Sequence, residues 1–566
     1  VAIGFLAASA LVTWLWRVGE VRGVVLTEGR PLTGAVVRVK ATGFEALSDG
    51  DGRFVLGGFP PRLSVRVTAW ADGYYIGGAV ARPWKRTVEI ALRPHWTSDN
   101  PEYTWIPPAI EDRSAAENLL IQTGLSIASR LSFNHLFLPL SARVKLGCAD
   151  CHGRTIYQQY AANAHAQGTR NVRFLSMYNG TDVEGNQSPL TRYGFHRDYG
   201  RFPLRPDPTQ PWFGPGFKLD FPDQAGNCAA CHMPGEATDA PYDTDINRIP
   251  VTAVQGTHCD FCHKVSAVRL DPVTRLPYEN MPGVLSTELH RPEAEPQMFF
   301  GPFDDIDVGP DTFSPLQNES RYCAPCHNAS FWGTPVYQSY AEWLASPYPQ
   351  EGKTCQTCHM KPDGVTRNFA PGRGGQERPL EKVFTHSFPG AADVALLQDT
   401  AKLELQARRD GDRILVEVRV TNEKAGHHLP TDHPARNVLL VVSAKDAQGR
   451  ELEHTGGPVI PDWGGVGDGP QDYASRPGRA YAKVLEELWT EVSPSVAYWR
   501  QTVVREDTRL PARATDVSRY EFRAPQAGPA TMEARLIFRR AFVELARLKK
   551  WPLQDIEMEH QTVTLP

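Results

Sequence analysis

Five times in this 566-residue chain, two cysteines three positions apart are followed at once by a histidine: CADCH, CAACH, CDFCH, CAPCH and CQTCH. The units are Cys148, Cys151 and His152; Cys228, Cys231 and His232; Cys259, Cys262 and His263; Cys323, Cys326 and His327; and Cys355, Cys358 and His359. They use all ten cysteines of the chain. Two thiols at this spacing each add across one vinyl group of a haem, and the adjacent histidine then lies beneath the iron as its proximal ligand. Such a group becomes part of the chain, which must fold around it.

Competing readings of CxxC fit less well. Zinc would pair the units into closed tetrahedral sites, which strands an odd unit and leaves the histidine after every second cysteine unexplained. A disulfide framework rarely repeats one spacing so regularly. The cofactors expected are therefore five covalently attached haem c groups.

Length sets the number of folding units at about three or four. Acidic and basic residues are interspersed and the formal charge is only -5, which argues against nucleic acid as a partner. Glycine and proline, 47 of each, fit a loop-rich middle in which haems replace much of the side-chain core.

The opening run VAIGFLAASALVTWLW is apolar and uncharged up to Arg17. It reads as a signal-peptide core with Ala8, Ser9 and Ala10 as a cleavage site, or as an uncleaved transmembrane anchor over 1–18 with Trp14 and Trp16 at the interface. The anchor is the preferred reading. Either places the bulk of the protein outside the cytoplasmic membrane, facing the periplasm or the cell exterior, because haem c is attached after export.

Residues 19–95 predict a β-sandwich from the short alternating runs VRGVVL, GAVVRVKA, RFVLGGF, LSVRVTAW and RTVEIAL, which Gly, Pro and Asp turns separate. Residues 96–395 form the five-haem domain, expected to be mostly helical or irregular, with a helix over about 114–132 and short helical pieces at each CxxCH. Residues 396–566 return to strands such as RILVEVRVTN, NVLLVVSAKDAQG and ATMEARLIFRR, and predict a second, immunoglobulin-like sandwich. The fold class expected is thus a haem-dominated, mostly α or irregular domain flanked by two β-sandwiches, with an N-terminal transmembrane helix.

The pattern PLTGAVVRV, SDGDGRFVLGGFP and VTAWADGYY resembles the carboxypeptidase regulatory-like domain, a spacer or docking module. The run CADCHGRTIYQQYAANAHAQ is similar to the multihaem cytochrome family that includes hydroxylamine oxidoreductase and its tetrahaem electron acceptor. There a CxxCH is followed by an aromatic-rich helix and a small-x-His ligand, which implies His165 as a distal ligand here. The THSFPGA segment implies His386, and the AGHHLPTDHPARN run places His427 or His428 at the edge of the following β-domain. Removing the five motif histidines from 17 leaves 12 candidates for the sixth coordination positions. His135 and His290 complete the set, with His196 and His433 in reserve. His258 is crowded against its own motif, His454 and His560 sit in strand-like contexts, and His95 reads as a linker residue. Relatives carry a histidine shortly before the fourth motif, whereas this chain reads GPDTFSPLQNESRYCAPCH and has none.

Two functions stay open. Irons with histidine on both faces give an electron-transfer protein working between a membrane-associated donor and a periplasmic or extracellular acceptor. One iron with an open face would instead give an oxidoreductase acting on a small nitrogen or sulfur compound, with Arg192, Tyr193, His196, Arg197, Asp198 and Tyr199 handling protons. The preferred reading of that cluster is arginine anchoring of haem propionates. The partners expected are other redox proteins or a membrane respiratory or photosynthetic complex, with assembly into a homo-polymer also open.

Covalent attachment predicts that the denatured polypeptide keeps its pigment on an electrophoresis gel, with five haems per chain by pyridine haemochrome assay. A colourless denatured chain would refute the motif reading.

Overall fold

The computed structural model describes residues 19–59, 64–110, 113, 114, 116–121, 123, 146–250, 256–373 and 375–566. In the first of these stretches, alternate side chains point inward, as the pleat of a strand requires. Val21 and Val25 of Gly19–Thr27, Val37 and Val39 of Val36–Val39, and Val88 and Ile90 of Thr87–Ala91 form one apolar core. Gly19–Thr27 pairs antiparallel with Arg53–Phe59 and parallel with Thr87–Ala91. A second sheet, ordered Glu45–Leu47, Val36–Val39, Val65–Trp70 and Gly77–Ala81, closes the sandwich.

This sandwich is clamped to the middle of the chain. Arg38 makes two bonds to Asp304 at 3.0 and 2.8 Å, and Lys40 and Arg66 each reach Asp307 at 2.7 Å. The Asp307 side chain is fully enclosed. An enclosed carboxylate needs such partners, since an unpaired one is costly.

Around the motifs, order comes from single turns and small ribbons. Each CxxCH lies on a helical turn, but apart from Cys148–Ala162, at 15 residues, no described helix of this region exceeds eight. Two-stranded ribbons fill the intervals, among them Val265–Val268 with Thr287–Leu289 and Ala329–Phe331 with Thr334–Tyr337. One helical turn fixes more backbone than its hydrogen bonds repay, so these pieces depend on what packs against them.

The last third is a sandwich of a four-stranded and a five-stranded antiparallel sheet. The first runs Ala401–Asp410, Arg413–Asn422, Thr515–Arg523, His454–Gly456; the second runs Thr502–Asp507, Gly478–Glu487, Asn437–Asp446, Ala530–Arg539, Ile556–Leu565. The strand Gly478–Glu487 was not visible in the sequence pattern. It is buried along most of its length, Lys483 included, and so lacks the alternation that marks a half-exposed strand.

Cations of this sandwich reach into the motif region. Lys483 donates to the carbonyls of Pro335 and Val336, and Lys549 to those of Ser176, Thr181 and Pro215. Arg500, nearly buried, binds Asp220 from the motif region at 2.7 and 2.8 Å and Glu487 at 2.7 Å.

Two expectations about fold class are corrected. Strand outweighs helix across the described residues, so the protein as a whole is not dominated by helix. The reason is local: CxxCH dictates one turn, and the glycine- and proline-rich intervals form ribbons and bends. Among the described residues no helix is long and apolar enough to cross a membrane, and the architecture beginning with a transmembrane helix is not supported. Residues 1–18 themselves lie outside the described residues, as does most of the helix expected over 114–132.

Replacing Arg500 with Met should lower stability by about 3–5 kcal/mol, because Asp220 and Glu487 would be left enclosed without their cation. Denaturant unfolding checks this, and a loss under about 1 kcal/mol would show that the network is solvated.

Candidate functional site

The helix Cys148–Ala162 organises the site. It carries the first motif at its start, breaks helical geometry at Gly153 (φ 79°), where Pro371 packs, and ends on two amide side chains. Asn163 accepts a bond from the backbone N–H of His165 at 2.8 Å and donates to the carbonyl of His386 at 2.7 Å. Gln159 accepts from the His386 N–H at 2.9 Å. Two histidines 221 positions apart are thus fixed by one helix end. Gly256 allows the approach to the third motif: a Cβ there would lie 1.9 Å from the His165 carbonyl oxygen, to which Thr257 donates at 2.8 Å.

None of the ten cysteines is in a disulfide; they are half-buried, with Cys358 exposed. Thiols of different motifs touch. Cys148 lies beside Cys259, Cys231 beside Cys326, and Cys323 beside Cys355. The fourth motif therefore meets both the second and the fifth.

The motif histidines are set up as ligands. Nδ1 of His152 bonds the Phe369 carbonyl at 2.9 Å, that of His263 the Phe300 carbonyl at 2.6 Å, and that of His359 the Pro389 carbonyl at 2.7 Å. A carbonyl only accepts, so each Nδ1 carries the proton and Nε2 keeps the lone pair a metal needs. Burial pushes His232 and His359 down to about 4, which keeps them neutral near pH 7, the form that binds metal. His327 differs. Burial lowers it too, but Asp432, 3.6 Å from its Nδ1, outweighs this and carries it up to about 9.

Imidazoles on opposite faces of one iron, with metal–nitrogen bonds of about 2 Å, have ring centres about 6 Å apart. Two CxxCH histidines have a partner ring at that separation. His165 and His327 lie 6.3 Å apart with planes crossed at 84°, and His359 and His427 lie 6.3 Å apart with planes at 13°. Nδ1 of His427 bonds the His428 carbonyl at 2.9 Å, so its Nε2 is free as well. His386 is lowered to about 3 by burial and next by the positive ends of His263 and His152. His433, on the same loop as Asp432, has His232 among its charged neighbours. Nδ1 of His165, His290, His386 and His428 is buried with no hydrogen-bond partner among the described residues. Ten thiols outside any disulfide, oriented lone pairs and two iron-spaced pairs that each include a CxxCH ring fit five covalent haems.

Other candidates fall elsewhere. His428 directs its ring to Glu342, at 3.7 Å, rather than to a motif histidine. His290 contacts His95, ring centres 6.4 Å apart, and both pack on Phe300, so the supposed linker residue His95 belongs to the domain contact. His258 accepts the Phe261 N–H at 3.2 Å and caps its own motif. His196 sits on an exposed hairpin whose Arg197 pairs with Asp198, and His454 packs on Tyr520 and Phe522. His560 pairs with Glu533 at 3.0 Å. His135 lies outside the described residues. The segment before the fourth motif is used as a brace: Gln317 donates to the Cys262 carbonyl, and Ser320 accepts from the Cys355 N–H.

No protein-family model matches the chain, and no curated protein matches it. A solved structure described as a penta-haem cytochrome c552 from Thermochromatium tepidum is similar at 20% identity and a TM-score of 0.46, covering 74% of this chain and 97% of its own. An Fcho1 Mu homology domain from Danio rerio with bound Eps15 peptide covers 30% of this chain and 44% of its own, at 8% identity and a TM-score of 0.13. Likenesses at these scores decide nothing about function.

Crossed imidazole planes leave two iron orbitals nearly degenerate and parallel planes split them. The oxidised protein should therefore show both a strongly anisotropic and a rhombic low-spin EPR signal. In His427→Ala the rhombic one should give way to a high-spin signal from one haem in five. An unchanged spectrum would remove His427 from the site.

Proposed function

We propose that this chain is an electron-transfer protein carrying five haem c groups on its CxxCH units, most of them held by histidine on both faces. The observation that carries the reading is the pair of iron-spaced ring contacts, His165 with His327 and His359 with His427, each joining a motif histidine to one from a distant segment. When bound, haem c accepts and releases one electron at its iron with little change of geometry. The protein's own part is to fix both rings and keep small molecules off the metal. In this reading His165 serves His327, His427 serves His359, His386 serves His263, and His433 serves His232.

Export for haem attachment places the protein outside the cytoplasmic membrane, and its partners are other redox proteins or a respiratory or photosynthetic complex. Both sandwiches are suited to hold such partners. One observation favours the second reading, an oxidoreductase on a small nitrogen or sulfur compound. Among the described residues the aromatic ring packed on His152 is that of Phe369, not of a second histidine.

The two separate on mixing reduced protein with hydroxylamine, nitrite or sulfite. The electron-transfer reading expects no catalytic reoxidation by these, and release of five equivalents to a small redox protein. Turnover on the order of 1 s⁻¹ or faster with any of the three would replace it with the enzyme reading.

A further inference from the structure

The fourth motif is the junction of the site, since its thiols meet those of the second and the fifth. Its histidine also has a different partner. His152, His263 and His359 are each held by a neutral backbone carbonyl, while His327 faces the carboxylate of Asp432 at 3.6 Å. Asp432 adopts φ 68°, a left-handed conformation uncommon outside glycine, and that turn brings its side chain inside, 16% exposed. Its Oδ1 has no hydrogen-bond partner among the described residues. Arg436 shares the other oxygen at 3.6 Å but is itself 27% exposed, so its charge is the better screened of the two.

We propose that Asp432 holds the haem carried on His327 at the lowest reduction potential of the five, so that the junction of the site is its hardest centre to reduce. The proposal rests on the haem reading above. Reduction adds one electron to ferric iron and exchanges no atom, so the site loses one positive charge. A carboxylate enclosed behind the proximal imidazole stabilises the more positive, oxidised state, directly and by making the ligand a stronger donor. A carbonyl does so less. Asp432 is a positioning and tuning residue here, with no role in touching a substrate.

The crossed planes of His165 and His327 give this haem the strongly anisotropic EPR signal, which makes it separately observable. In a titration of the full-length protein with dithionite, that signal should be the last to disappear. Asp432→Asn keeps the shape and removes the charge; it should move that midpoint up, and by clearly more than the rhombic signal of the His359 haem, on which Asp432 acts more weakly. Arg436→Met removes the competing cation and should move the same midpoint down. The proposal is overturned if the anisotropic signal is not last in the native protein, if D432N leaves it unmoved or lowers it, or if both signals move by the same amount. Should D432N assemble with fewer than five haems, R436M decides: a downward shift supports the proposal, and no shift or an upward one overturns it. Absence of the anisotropic signal from the native protein would overturn the haem-ligand reading as well, which sets that failure apart.

Discussion

An imidazole serves a metal best through one nitrogen when the other is held, a requirement that three of the five CxxCH rings meet with a backbone carbonyl. A CxxCH turn supplies two thiols and a ring but nothing to orient the ring. Each anchor must come from another segment: Phe369 for His152, Phe300 for His263, Pro389 for His359. Those three contacts span 217, 37 and 30 positions, so the chain must return repeatedly to the same volume. Short turns and two-stranded ribbons accomplish the return with little regular structure.

The same requirement ties the C-terminal sandwich to the site. His427 and Asp432 lie on the loop between its strands Arg413–Asn422 and Asn437–Asp446, each near a motif histidine. Lys483, Lys549 and Arg500 fasten that sandwich to carbonyls and carboxylates of the motif region. Each is largely or wholly buried, so the contact is specific rather than a general surface attraction. A boundary drawn where the strand pattern resumes would separate His427 and Asp432 from the rings they face.

Proximal residues were legible because covalent chemistry fixes their spacing. The facing histidines were legible in part: His165 and His427 stand near motif rings, whereas His290 meets His95 and His428 meets Glu342. No local pattern distinguishes the members of a histidine doublet, since the choice is made by which ring the fold turns inward. Asn163 and Gln159 went unrecognised for a similar reason. Their partner, His386, is more than two hundred positions away and leaves no mark on the sequence around them. The alternating strands were readable, and the buried strand Gly478–Glu487 was not, because enclosure on both faces erases the period of two.

The enclosed Asp307, gripped by Lys40 and Arg66, has a mechanical consequence. A module on a loose string samples many orientations, and its reach is set by the length of that string. Here the connecting residues are also held, Tyr103 by Asp260 and Trp105 by the Gly235 carbonyl. Anything gripping the outer strands of residues 19–91 is therefore presented to the first CxxCH turn at one set distance and angle. Lengthening the tether between them would change that geometry little unless the acidic loop were released first.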